Sequence, residues 1–367
     1  MSGDKNDKSK SKIGSQAFCR AGVGLGIVAA AALSGAAAQA GPQKTIEFIP
    51  SSNATPYFLR EYAGVKAEAK KFGYKTAFQA PSVSVHVGKQ IGMVYTAITR
   101  KVDGIILVPY SPTALLPPVK KAMAAGIPVV ATDSTLTPMD AVTFTAVPNK
   151  KAAGAVANYA AKMVDGKGEY AIIDYNLSTT SGRARRDGFK EAMAKYPGMK
   201  FAGLRISHSI PQTALNEATA MLESNPKINV IFGANDRSAL GVAEAVKRLH
   251  LKNKVVVVGF DADLGEINYI KSGYIKASVL QSPVTMGKTA VDVLHDIFTG
   301  KTKTPAKYLP LPFHVVTSKN YNDPKSIDAI QQYTIEGASA TSGTSYFYHD
   351  EAATLELLLD IYYEEVN

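Results

Sequence analysis

Tryptophan is absent from this 367-residue chain, and cysteine occurs once, at Cys19. A single cysteine excludes an internal disulfide framework and a thiolate metal cluster. Without tryptophan, any aromatic stacking falls to the 18 Tyr and 13 Phe residues. The six histidines (His86, His208, His250, His295, His314 and His349) are scattered, with no HExxH pair for a metal and no GxSxG for a nucleophilic serine. The formal net charge is +10, yet no basic run is interleaved with aromatics, the footprint expected of a nucleic-acid binder. Lys66, Lys70, Lys71, Lys120, Lys121 and Lys162 instead stand along amphipathic stretches, as on solvated helix faces. A stretch at 285–289, Thr-Met-Gly-Lys-Thr, resembles a phosphate loop, but Ser282 stands where that pattern needs glycine and the segment follows Pro283 at a helix start.

The charge is unevenly spread. Residues 1–40 carry +3, residues 336–367 carry −7 with no Lys or Arg, and the chain between them carries +14. Residues 1–20 are polar and basic, 21–38 are apolar and rich in Ala and Gly, and Ala38-Gln39-Ala40 supplies a small-x-small site. That order reads as a secretory signal peptide over 1–40, whose removal would take Cys19 with it. The competing reading is a retained membrane anchor, which the many small residues make weakly hydrophobic. At the other end, 337–345 reads as a Gly/Ser/Thr linker, and Leu355–Tyr363 as a short acidic amphipathic stretch, either docked on the basic core or foreign to it.

Between these ends the chain alternates strand and helix. The four valines of Val255–Val258 suit a strand buried on both faces, the kind found inside a parallel sheet. Apolar runs at 45–49, 76–80, 104–108, 128–132 and 143–146 alternate with helical periodicity at 56–72, 85–100 and 113–125. The same alternation restarts at Asn149 and runs to Phe298. Each crossover is long enough for a right-handed βαβ unit, so the expectation is an α/β protein of two Rossmann-like lobes with parallel sheets.

In open α/β sheets, ligands bind beyond the carboxyl ends of the strands. The residues placed there are Tyr57 and Phe58, Pro109 and Tyr110, Asp133, Arg183, Asn235 and Asp236, Phe260 and Asp261, and Gln281. Aromatic faces cover the C–H faces of a sugar ring, while carboxylates, amides and a guanidinium saturate its hydroxyls. Each residue also has a plainer role: Asp133 as a turn residue beside Ser134, Asp236 as the N-cap of the next helix, Phe58 as core. Their joint appearance at successive strand ends favours a binding site.

These residues sit in an ordered set of motifs: VDGIIL at 102–107, GIPVVATD at 126–133, SGRARRDGF at 181–189, VIFGANDRSALG at 230–241, VVGFDA at 257–262 and LQSP at 280–283. In order and spacing the chain resembles, over about 45–316, the periplasmic sugar-binding proteins related to ribose-binding protein. The resemblance implies a ligand cleft between two lobes joined by three hinge segments. Lobe 1 would be 44–147 plus 283–311, and lobe 2 would be 148–281 plus 312–330. It implies ligand contacts by Tyr57, Phe58, Asp133, Arg183, Asn235, Phe260, Asp261 and Gln281, with no catalytic residue, metal or cofactor. It further implies an exported, periplasmic monomer that delivers a sugar or polyol to an ABC permease of the inner membrane, with a chemoreceptor as an alternative partner. Four positions depart from the ribose binders of that family: Thr55, Pro109-Tyr110, Ser134 and Ser209. Two rivals remain. Asp133 and Asp261 are conceivable as a glycosidase pair, though Arg183 and Gln281 nearby fit carboxylates held ionised. A transcriptional regulator sharing the core would need a helix-turn-helix ahead of it, where this chain has its signal-like segment.

Overall fold

The computed structural model describes residues 43–53, 55–82 and 86–323. The signal-peptide reading of 1–40 and the linker and acidic stretch of 337–367 lie outside the described residues. In chain order the elements are β1 (Thr45–Ile49), α1 (Pro56–Lys71), β2 (Lys75–Phe78), α2 (Val87–Thr99), β3 (Gly104–Leu107), α3 (Leu116–Ala124), β4 (Val129–Thr132) and β5 (Thr143–Ala146). They continue with α4 (Asn149–Met163), β6 (Lys167–Asp174), α5 (Thr180–Met193), β7 (Gly198–Ile206), α6 (Pro211–Ser224), β8 (Ile228–Gly233) and α7 (Asp236–Arg248). The last are β9 (Val256–Asp261), α8 (Leu264–Lys271), β10 (Ile275–Leu280), α9 (Pro283–Phe298), β11 (Tyr308–Pro310) and β12 (His314–Thr317).

The strands form two six-stranded sheets, ordered β11-β5-β4-β3-β1-β2 and β12-β10-β9-β8-β6-β7. Every pairing is parallel except that of β10 with β12. That antiparallel edge is where the structure differs from two purely parallel sheets. β12 enters the second sheet at the 310–314 passage, at the end where β10 leaves it at 280–283, so the two strands run in opposite directions. The chain passes between the sheets at 146–149, 280–283 and 310–314.

Side-chain alternation assigns the valine strand to two cores. Val255 and Val257 pack with the α6, α7 and α8 residues Leu215, Val242 and Ile267. Val256, Val258 and Phe260 pack with the α4 and α5 residues Val156, Phe189 and Met193. Phe189 lies flat on Phe232 of β8, with ring centroids 4.5 Å apart. In the first sheet, α1 and α9 cover one face around Phe48, Ile106 and Val130, and α2 and α3 cover the other around Ile105 and Leu107.

Helix α5 owes its close seat on α4 to Gly188, where a Cβ would run into the Lys150 backbone carbonyl. Gly188→Ala is therefore expected to force the two helices apart and to cost about 1–3 kcal/mol of stability. Gly92→Ala, at a position of α2 open to solvent, is expected to be neutral or to stabilise by up to roughly 1 kcal/mol. Urea unfolding of the two variants checks both signs.

Candidate functional site

The C-terminal ends of β4 and β9 each deliver one carboxylate. Asp133 directly follows β4 and Asp261 is the last residue of β9. Both are buried, and both have left-handed backbones, with φ of 57° and 100°. Non-glycine residues adopt that region at a cost, which the surroundings must offset. The turn at each strand end thereby bends a carboxylate toward Arg185 of α5.

Arg185 is the centre of the site. Its guanidinium lies 3.5 Å from Asp133 Oδ1 and 3.4 Å from Asp261 Oδ1, so one ion-pair partner comes from each sheet. Its Nε donates to Asn149 Oδ1 at 2.8 Å, and one terminal nitrogen donates to the Ala234 carbonyl at 3.0 Å. The guanidinium carbon stands 3.7 Å over the Phe260 ring, a close cation–π stack. Asp261 Oδ1 also accepts from Gln281 Nε2 at 2.6 Å, and its Oδ2 accepts from the Asp236 backbone N–H at 3.1 Å.

A layer of hydroxyls joins the sheets beside Asp133. Ser134 and Ser181 Oγ atoms are 2.6 Å apart, Ser181 Oγ meets the Tyr175 hydroxyl at 2.7 Å, and the Thr135 N–H donates to Thr180 Oγ1 at 2.8 Å. Ser181 also reaches Asp133 Oδ2 at 3.4 Å. Ser134 stands where the resemblance implies an arginine.

Burial raises the carboxyl pKa values. Asp133 is raised to about 6, chiefly by desolvation, with Arg185 pulling it down and Asp261 pushing it up. Asp261 is raised for the same reason, again opposed by Arg185. Asp236 reaches about 7, through desolvation and then the fields of Asp261 and Asp263. Burial acts to lower the pKa of Arg185, but Tyr175, Asp261, Asp133 and Tyr57 outweigh it and raise the value. Glu61, fully buried one turn beyond Tyr57 and beside Thr132, is pushed well above the usual carboxylate range by desolvation.

Asp133, Phe260, Asp261 and Gln281 converge around this one guanidinium. Tyr57 is buried in the first turn of α1, close enough to act electrostatically on Arg185, and packs edge-to-face on Phe58 at 5.5 Å. Phe58 belongs to the apolar cluster of its lobe. Asn235, not Asp236, caps α7: its Oδ1 accepts from the Ser238 N–H at 3.0 Å, while its Nδ2 donates to Ser209 Oγ at 3.1 Å. The expected cap is displaced because the extended residue before the first helical turn is Asn235, leaving Asp236 to accept from the Arg237 N–H.

The expectation for Arg183 is corrected. Arg183 is exposed, and Arg185 occupies the site. Two residues along a helix turn the side chain by roughly 200°, so the two arginines face opposite ways. The signal was present in the sequence: Arg185, Gly188, Phe189, Ala192 and Met193 form one buried stripe at helical spacing. Asn149, Tyr175 and Ser181 were also missed, since their roles depend on neighbours far away in the chain. Among the described residues no group of His, Cys, Asp and Glu is arranged to hold a metal. The arrangement offers hydroxyl acceptors on both sides, a guanidinium donor between them and an aromatic wall.

Residues 46–302 match the family described as periplasmic binding protein domain. The chain belongs to this family. A D-ribose/D-allose-binding protein of Pseudomonas aeruginosa is 29% identical over 288 residues, covering 76% of this chain and 90% of the relative. A D-apiose import binding protein of Actinobacillus succinogenes is 30% identical over 268 residues, 72% of this chain and 85% of the relative. Among solved structures, an ABC-transporter solute-binding protein of Agrobacterium vitis with bound D-fucose superposes with a TM-score of 0.74 at 30% identity, over 78% of this chain and 99% of that one. Periplasmic binding proteins share the two-sheet architecture described above, and the paired carboxylates of this member lie at its strand ends.

The ion-pair geometry separates the two arginines by experiment. Arg185→Ala leaves two buried carboxylates without their cation and is expected to destabilise the fold by about 3–5 kcal/mol at neutral pH. Without the arginine, the folded-state pKa values of Asp133 and Asp261 rise further above their unfolded values. The native state then holds protons more tightly than the unfolded state, and part of the loss is regained as pH falls through those raised folded-state values, which lie above the value of about 6 that Asp133 has with the arginine in place. Arg183→Ala is expected to stay within about 0.5 kcal/mol at any pH. Thermal unfolding between pH 5 and 8 distinguishes the two.

Proposed function

We propose that the chain is an exported solute-binding protein that captures a neutral sugar or sugar-like polyol between its two lobes and delivers it to an ABC importer. The observation that carries this reading is Arg185 lying between Asp133 and Asp261, one carboxylate from each sheet, with Phe260 beneath it. Hydroxyl groups donate to carboxylates and accept from a guanidinium, and a ring face stacks on an aromatic. A ligand that touches both lobes shifts the population toward their closed arrangement in proportion to the extra contacts it gains there.

The ligand-contacting set is Tyr57, Phe58, Asp133, Arg185, Asn235, Phe260, Asp261 and Gln281. The relatives' sugars (ribose and allose, apiose, fucose) point to a monosaccharide or close analogue. With Ser134 in place of an arginine, the ligand position beside Asp133 meets hydroxyls and not a second guanidinium. Arg185 supports both carboxylates in their ionised form, which suits fixed acceptors better than the paired acid and base of a hydrolase. The protein works as a monomer in the periplasm, and the membrane permease recognises the ligand-closed form.

Thermal shift against a panel of pentoses, hexoses and polyols tests the reading, because a ligand that binds only the native state raises the melting temperature. A hit that titration calorimetry confirms should be lost in Asp261→Ala, which removes a buried acceptor, and should not be turned over on long incubation. Its affinity should fall as pH drops below about 6, where Asp133 takes up a proton and ceases to be a double acceptor. No hit across the panel, or full affinity in Asp261→Ala, would refute the assignment.

A further inference from the structure

On the hinge side lies a groove of about 790 Å³ whose inner end reaches Asp133 and Ser181 and whose outer part, along α4 and α5, the sugar reading does not use. One wall belongs to the first sheet: Phe144 of β5 and Tyr308 of β11 are stacked with centroids 5.3 Å apart, and Tyr308 is 40% exposed. The floor is the seam between α4 and α5, lined by the small side chains of Ala155, Ala184 and Ala192, with the helices in close contact at Gly188. Three lysines rim it: Lys150, Lys151 and Lys195. Lys150 pairs with Glu191 at 2.7 Å, whereas Lys151 and Lys195 are exposed and form no ion pair with a described residue. An apolar trough with uncompensated positive charge along its rim fits an occupant that is apolar on one side and acidic on the other.

The chain itself contains such a segment. Between Asp350 and Glu365 it reads DEAATLELLLDIYYEE, with Leu355, Leu358, Ile361 and Tyr362 set among six carboxylates and no lysine or arginine. The described chain ends at Asp323, just after Tyr321, which packs on the α8 side of the second sheet. The segment must therefore pass around the edge strand β12 to reach the α4–α5 face. The sequence from Asp323 to Asn367 could span on the order of 100 Å when extended, so reach does not limit it.

We propose that residues 350–365 dock in the hinge-side groove of their own chain. The leucines and tyrosines lie against the α4–α5 floor and the Phe144–Tyr308 pair, and the carboxylates meet Lys151 and Lys195. This accounts for two features left over from the sequence, the basic core and the acidic end. The attraction between exposed charges is screened by salt, with a decay length of about 10 Å at 0.1 M, so docking weakens as ionic strength rises.

Site-directed crosslinking tests the proposal in the full chain carrying Cys19→Ser. Ala155→Cys combined with Leu358→Cys, treated with a short bismaleimide, should give an intramolecular crosslink. The yield should fall several-fold at 1 M salt and when Lys151→Glu and Lys195→Glu are added. Glu223→Cys on α6 with Leu358→Cys should crosslink poorly, and Asn158→Cys repeats the groove measurement if Ala155→Cys fails to fold. Equal yields from the Ala155→Cys and Glu223→Cys pairs, no crosslink at either groove position, no effect of the lysine substitutions, or crosslinks found only between chains would each overturn it. The last outcome would mean that a second copy, and not the same chain, supplies the segment.

Discussion

A single buried guanidinium holds together the strand-end cluster on which the proposed ligand site is built. Arg185 lies between two carboxylates that arrive on different sheets, rests on an aromatic ring, donates through Nε to Asn149 and, through the nitrogen that faces Asp261, also to the Ala234 carbonyl. Taking three charges out of water is expensive, and mutual attraction repays it only where geometry and additional hydrogen bonds are good. Here Gln281, Ser181 and the Asp236 backbone N–H complete the set around the carboxylates. The raised pKa values of Asp133 and Asp261 record the desolvation that Arg185 only partly offsets.

The fold keeps that cluster in place through backbone shape. Asp133 and Asp261 each turn at a strand end with positive φ, an arrangement that directs a side chain sideways off the strand axis and not along it. Arg185 is carried by a helix pressed onto α4 at Gly188, and α4 begins at the first crossing between sheets. Asn149, the first residue of α4, also donates to the Val147 carbonyl at 3.3 Å. The arginine is thus tied to the hinge itself. Most of its fixed contacts lie in the second sheet and its helices, and Asp133 is the partner it meets from the first. A protein that must close around a ligand gains from such asymmetry, because one half of the site is set before the other arrives.

The hydroxyl layer of Ser134, Ser181, Tyr175 and Thr180 gives the contact between lobes a different character from an ion pair. Neutral hydroxyls reorient to donate or accept and carry a smaller desolvation cost than a second guanidinium would. A site with one arginine and several hydroxyls discriminates ligands by whether each polar group finds a partner, since an unpaired buried group is what rejects an analogue.

The alternation of apolar strands and amphipathic helices, the valine run, and the placement of Asp133, Phe260, Asp261 and Gln281 at strand ends were legible in the sequence, because they depend on local periodicity. β11 and β12 escaped that reading: they are three and four residues long, half-exposed, and exist only because a neighbouring strand offers its edge. The choice between Arg183 and Arg185 rested on which side of α5 faces inward, a matter of the packing of Gly188 and Phe189. Asn235 took the cap expected of Asp236 because the helix began one residue earlier than charge alone suggests. The sequence by itself determined two α/β lobes with acidic and aromatic groups at their strand ends. Only the tertiary structure decided which cation joins them, because that pairing forms between residues far apart in the chain and is set by how helices seat on sheets.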